Sequence, residues 1–277
     1  MRVAVLGAAG GMGSFFARYF RRQGQDVAVF DVRRPAKFPA GTSVAKSNSD
    51  AVRGADVVLV AVPMGATAAV VREVSPDLER GSIVIEMTSV KGDALAELRS
   101  ICESGGVNLL SIHPMFGPLS KEKNFKMCVV GGRKDEAAAR LIFPGARMIL
   151  LGSKEHDRLM AYALSLVHLL NLAFASAVVR SMGLDQFKNI ATPLASAQLN
   201  LSQAVLSQDP DLFSRIQTEN PFVVEVLSSF ISQLEGFQRS AEMKDTSKFE
   251  EAFAATASTF SRTALDEALR RIYTALP

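Results

Sequence analysis

Seven short, almost wholly apolar runs punctuate the first half of the chain: Val3–Leu6, Val27–Asp31, Val57–Val62, Ile83–Met87, Val107–Ile112, Met127–Val130 and Ala146–Leu151. Strands that are apolar on both faces belong to a parallel sheet covered by helices on each side. The stretches between them, such as Met12–Arg22, Thr67–Val74 and Lys91–Glu103, carry helical patterns. This alternation predicts a doubly wound α/β domain of the Rossmann-like type over residues 1–152.

Beyond Gly152 the β-branched runs vanish, and Ala, Leu, Ser, Gln and Glu dominate. Helices are expected near Lys154–Met182, Pro193–Ser207, Asn220–Ser240 and Lys248–Ala275, separated at Gly183, Thr192-Pro193, Asp209-Pro210 and Lys244-Asp245-Thr246. Residues 153–277 therefore read as an all-α C-terminal domain, whose apolar stripe would serve as a homodimer interface. A self-contained helical bundle is the alternative.

Charge excludes some partners. Thirty-one Lys and Arg against 28 Asp and Glu leave only +3, evenly spread, which argues for neither nucleic acid nor an anionic membrane. The chain opens directly into its first strand without a secretory prelude, so a cytosolic protein is expected. Twenty-one uncharged residues separate Arg158 from Arg180, long enough to cross a bilayer. Tyr162, Ser165, His168, Asn171 and Ser176 interrupt them, and the segment reads as a helix buried between protein surfaces. Cys102 and Cys128 read as small buried hydrophobes. No histidine and carboxylate set has ligand-like spacing, so no metal is implied.

The run Gly7-Ala8-Ala9-Gly10-Gly11-Met12-Gly13 follows the first strand and opens the first helix. Such a turn brings backbone N–H groups to a pyrophosphate at a helix N-terminus. Ala8 stands where the strict glycine motif needs glycine, so context must carry the reading. That context is Asp31, at the end of the second strand and 18 residues past Gly13, placed to accept from adenosine ribose hydroxyls. The Asp favours NAD, whereas Arg33 and Arg34 beside it keep NADP open as a cofactor.

Two further segments end strands at the ligand edge of such a sheet: Glu86-Met87-Thr88-Ser89-Val90-Lys91-Gly92 and Ser111-Ile112-His113-Pro114-Met115-Phe116-Gly117-Pro118. Ser89-Val90-Lys91 followed by His113 to Pro118, with Glu155-His156-Asp157 further on, resembles the prephenate/arogenate dehydrogenase family of tyrosine biosynthesis. The resemblance implies oxidative decarboxylation of a cyclohexadienol with hydride transfer to NAD(P). It implies His113 as catalytic base, with Ser89 and Lys91 beside the substrate hydroxyl, and His168 near the substrate pocket. His156 matches the family too but reads as architectural, and Lys91 as a solvated first-turn residue is the alternative to a catalytic one.

One departure stands out. Ala204 occupies the place where the family presents a carboxylate-binding Arg before its Asp-Pro turn. Arg215 is the first choice to replace it, ahead of Arg158, Arg180 and Arg239. With no regulatory or mutase-like segment recognised, a minimal monofunctional enzyme is expected. Two other readings stay open: a β-hydroxyacid or imine dehydrogenase using Lys154 or Lys188, and a non-catalytic nucleotide-sensing dimer.

Overall fold

The computed structural model describes residues 1–33, 37–121 and 125–275. Arg34, weighed above as a phosphate-binding cation, lies outside them. Two compact units divide the chain: Met1–Met160 with Glu219–Pro221, and Ala161–Thr218 with Phe222–Pro277. The division falls after Met160 rather than after Gly152, because the helix at Ser153–Met160 buries His156, Asp157 and Met160 within the first unit.

Among the described residues the first unit is built on eight strands: β1 (Arg2–Leu6), β2 (Asp26–Phe30), β3 (Ser43–Val44), β4 (Val57–Val60), β5 (Ile83–Glu86), β6 (Asn108–Pro114), β7 (Lys126–Val130) and β8 (Arg147–Leu151). Their order in the sheet is β3-β2-β1-β4-β5-β6-β7-β8. The first six lie parallel, in the order of a dinucleotide-binding sheet. β7 runs antiparallel to β6 and parallel to β8. Chain order reverses between β1 and β4, which opens a crevice at the carboxyl ends of those strands.

Helices α1 (Gly11–Arg22), α2 (Asn48–Val52), α3 (Thr67–Val74), α4 (Gly92–Gly105), α5 (Arg133–Ile142) and α6 (Ser153–Met160) complete this unit. Side chains alternate across the sheet with the period of two that strands impose. Val3, Val5, Val57 and Leu59 pack on one face with Phe15, Phe16, Phe20 and Phe143. Ala4, Leu6, Val58 and Val60 pack on the other with Val71, Val74, Leu98 and Cys102. Each fully buried Phe of α1 contributes roughly 1.5–3 kcal/mol, so α1 is a rigid support for the turn that precedes it.

The second unit is helical throughout its regular structure. A π-helical stretch, Ala161–Leu166, precedes α7 (Val167–Ser181), α8 (Leu184–Ile190), α9 (Pro193–Leu206), α10 (Pro210–Glu219), α11 (Val223–Glu242), α12 (Thr246–Ala257) and α13 (Arg262–Ala275). Its buried core is small: Ala161, Val223 and Val226, with Leu166, Leu169 and Phe222 against them. The uncharged segment belongs to a helical run, Ser153–Ser181, long and apolar enough to cross a membrane. Only 28% of its most apolar window is buried, so within one chain it is not the enclosed helix expected from the sequence. Leu170, Leu172, Val179, Leu201 and Leu234 stand exposed on this unit.

Candidate active site

At the end of β1 the chain turns back over β4. Gly7 has φ +84°, and a Cβ there would lie 2.4 Å from the Ala61 carbonyl oxygen. A Cβ at Gly13 would lie 2.2 Å from the Gly7 oxygen, so both glycines are dictated by close backbone approach. Ala8 fits because its methyl is buried in the sheet core and its N–H donates to the Phe30 oxygen. Glycine was not needed there. The first helical turn, with Gly11, Met12 and Gly13, has no side-chain cap and no acidic residue. Its N–H groups, at the positive end of α1, suit a phosphate.

Asp31, just past β2, joins this turn. Its carboxylate accepts from the Ala9 N–H at 2.9 Å and the Arg33 N–H at 2.8 Å, with the Arg33 Nε at 3.4 Å. Arg33 reaches toward Gly10 as well, where an added Cβ would meet its guanidinium at 3.4 Å. The second motif touches the first: a side chain at Gly11 would lie 2.9 Å from the Pro118 ring. Phe116 packs 4.9 Å from both Phe15 and Phe125, centroid to centroid. The segment after β6 is thereby pinned onto α1 beside the glycine turn.

Ser89 leaves the carboxyl end of β5 and His113 sits near that of β6, on neighbouring parallel strands. The Ser89 hydroxyl is half-buried and has no hydrogen-bond partner among the described residues. Beneath it lies a buried ion pair. Lys91 Nζ donates to Glu86 Oε1 and to the Ile112 carbonyl oxygen, each at 2.7 Å, and both side chains are fully buried. Ser111 donates to the same Glu86 oxygen, and Thr88 donates to the other through its backbone N–H at 2.9 Å. Burial draws the Lys91 pKa down, and Glu86 opposes that shift. Lys91 is therefore not the solvated first-turn residue offered as its alternative. Its ammonium holds the backbone beside His113.

His113 is itself 6% exposed. Its Nδ1 lies 2.9 Å from His156 Nε2, and His156 Nδ1 lies 2.8 Å from Asp157 Oδ1. Asp157 also accepts from the Lys91 N–H at 3.0 Å and the Gly92 N–H at 2.8 Å, and Asn220 braces its backbone oxygen. Burial pushes the Asp157 carboxyl up, but the His156 N–H and the two backbone N–H groups outweigh it and hold the pKa below the usual range. Burial is the main cause that depresses the His113 pKa well below 6.5, with the Lys91 ammonium adding to it. An imidazole held neutral at physiological pH can accept a proton.

Of the remaining candidates, Arg158 lies in the first unit and the others in the second. His168 stacks on Phe213 at 5.5 Å, and its Nδ1 is buried without a partner among the described residues. Arg215 Nε pairs with Asp211 Oδ2 at 3.0 Å, one turn back on α10. Because Phe213 and Arg215 are two residues apart, they face different sides of that helix. His168 and Arg215 are thus held by different neighbours, Phe213 and Asp211, within the helical unit. Ala204, Arg158, Arg180 and Arg239 are exposed.

Glu86 and the linked pair His156–Asp157 escaped the sequence reading as functional groups. Glu86 had a signal: it is a carboxylate closing an apolar strand, with a lysine five residues on. The partner of His156 comes 43 residues earlier in the chain, and no local pattern shows that distance being closed.

A glycine cradle on the carboxyl edge of a parallel sheet, with a neutral histidine ending a nearby strand and a helical unit following, defines a dinucleotide-fold protein of two units. Two family descriptions match the sequence: "Prephenate dehydrogenase, nucleotide-binding domain" over residues 16–167, and "Prephenate dehydrogenase, dimerization domain" over residues 152–255. The chain belongs to the prephenate dehydrogenase family.

A probable arogenate/prephenate dehydrogenase of Methanocaldococcus jannaschii is 25% identical over 90% of this chain and 58% of its own length. The T-protein of Haemophilus influenzae is 28% identical over 82% of this chain and 59% of its own length. The chain thus spans under two thirds of these two relatives. The 4-amino-4-deoxyprephenate dehydrogenase of Streptomyces pristinaespiralis is 26% identical over 91% of this chain and 89% of its own length. Among solved structures, prephenate dehydrogenase from Aquifex aeolicus superposes with a TM-score of 0.75 at 18% identity, covering 93% of this chain and 98% of that one. An imine reductase from Myxococcus stipitatus gives 0.57 at 21% identity, over 79% and 78%. These likenesses establish the fold.

Proposed function

We propose that this protein oxidises and decarboxylates a prephenate-type cyclohexadienol with a nicotinamide dinucleotide as hydride acceptor. The observation that carries the reading is His113: a buried imidazole, its Nδ1 held by His156 at 2.9 Å, at the carboxyl end of β6 and on the same sheet edge as the uncapped N-terminus of α1. The turn from Gly7 to Gly13 would hold the pyrophosphate, and Asp31 the adenosine ribose. When bound, the nicotinamide supplies the hydride acceptor.

His113 takes the proton from the ring hydroxyl. As that O–H bond breaks, the carbon bearing it can lose hydride, and departure of the carboxylate across the ring completes aromatisation. Ser89, its hydroxyl unengaged among the described residues, orients the same oxygen. Lys91 acts from beneath, through the Ile112 carbonyl, and His168 is the helical unit's candidate group for substrate. The exposed apolar residues of that unit are covered in a homodimer, in keeping with the matched dimerization description.

NAD is the proposed cofactor, because the Asp31 carboxylate repels a 2′-phosphate. An Asp31→Ser variant is expected to move the NADP-to-NAD ratio of kcat/KM by about 10–100-fold toward NADP, the equivalent of one charged hydrogen bond. An unchanged ratio would remove Asp31 from the ribose site. A depressed His113 pKa also has a kinetic consequence. The base must be neutral to act, so kcat/KM stays flat as pH falls to 6.5 and declines only below it. An acid limb centred above 6.5 would contradict the assigned base.

The reading is tested with purified protein, prephenate, arogenate and the 4-amino analogue against NAD and NADP, following reduced nicotinamide. Turnover with a cyclohexadienol supports it. Turnover only with β-hydroxyacids or amines, or tight cofactor binding with no turnover, rejects it.

A further inference from the structure

To accept a proton, His113 needs one ring nitrogen free of hydrogen, and the buried chain behind it decides which. We propose that His156 and Asp157 are positioning residues that hold His113 as its Nδ1–H tautomer, leaving Nε2 as the lone pair that receives the substrate proton. The inference rests on the proposed role of His113 but is read from contacts that exist without substrate.

Asp157 is an acceptor only, already drawing two backbone N–H groups onto its oxygens. The His156 Nδ1 facing Oδ1 at 2.8 Å must therefore carry hydrogen. A neutral His156 then has only a lone pair at Nε2. Across 2.9 Å from it, His113 Nδ1 must donate, because two lone pairs at that distance would repel. His156 is fully buried, Asp157 nearly so, and the two imidazole rings meet edge-on with centroids 5.1 Å apart. Neither ring can turn without breaking a buried hydrogen bond, so the tautomer is fixed before substrate arrives.

The groups around His113 agree. Lys91 is paired with Glu86 at 2.7 Å, and the opposite residue on β7 is Cys128. When the substrate O–H bond breaks, the oxygen keeps its electron pair and the proton forms an N–H bond at Nε2. The imidazolium so made donates through Nδ1 to His156, whose own N–H rests on the Asp157 carboxylate. His156 thus shares the new charge with an anion that does not touch substrate.

The chain contains three histidines, which makes the test direct. Full-length protein with 15N-labelled imidazoles is examined at about pH 8 by long-range proton–nitrogen correlation, with His168→Gln and His156→Leu variants giving the assignments. The expected result is hydrogen on Nδ1 of both His113 and His156. Hydrogen on Nε2 of His113, or a doubly protonated His156, overturns the proposal. In folded His156→Leu, the His113 ring is expected to populate the Nε2–H form and kcat to fall about tenfold or more with KM unchanged. An unaltered His113 spectrum in that variant would also overturn it. If no cyclohexadienol is turned over, the proposed reaction fails while the wild-type spectrum still judges the tautomer.

Discussion

Replacing His113 with asparagine is expected to lower kcat by about 10²–10⁴-fold, the usual contribution of a positioned general base, with cofactor affinity essentially unchanged. The asymmetry follows from location. His113 lies near the end of β6, whereas the proposed nucleotide contacts are backbone N–H groups at the start of α1 and the Asp31 carboxylate after β2. Asparagine keeps a polar group toward His156 Nε2, so the buried chain is not left open. Cofactor binding by calorimetry and kcat from steady-state rates on the same preparation check both halves. Near-normal kcat would show that another group takes the proton.

The second large effect is on folding. Lys91→Met strands a carboxylate that is fully buried, since Glu86 has its ammonium partner at 2.7 Å and no solvent. Removing one member of such a pair costs about 3–5 kcal/mol, because the remaining charge stays uncompensated. Adding Glu86→Gln removes that charge and should recover much of the loss. Thermal unfolding of wild type, single and double variants tests this, and a single variant as stable as wild type would contradict the pair's structural role. Losing the Lys91 charge also favours the protonated form of His113, so the acid limb of kcat/KM should move to higher pH in Lys91→Met.

The sheet was legible because strands buried on both faces leave continuous apolar runs, as in Val57–Val60 and Ile83–Glu86. β3 was not, since Ser43 and Val44 form a two-residue edge strand with both side chains exposed. The reversal at β7 left no trace either, because Met127–Val130 is buried whichever way it runs. Asp209-Pro210 reads as a break, yet Pro210 opens α10, where a missing N–H costs nothing. The expected last helix divides between α12 and α13 at a turn near Ser258–Ser261 that holds neither Gly nor Pro.

The site divides the same way. Local motifs placed the glycine turn, Asp31, Ser89 and His113 at the carboxyl ends of strands, because that placement depends on neighbours in sequence. The state of Lys91 and of His156 depended on partners elsewhere. A lysine in a first turn is usually solvated, and only the buried Glu86 on β5 makes it otherwise. Arg215 was chosen for its charge alone, and its pairing with Asp211 one turn back is a contact that charge alone did not show.

In the proposed reaction, proton removal at His113 accompanies hydride loss and decarboxylation at one ring. The most direct measurement follows reduced nicotinamide and released carbon dioxide together during turnover of prephenate or arogenate. Equal rates of the two, lost together in His113→Asn, are the result expected. Cofactor reduction without carbon dioxide, or with His113→Asn as active as wild type, would contradict it.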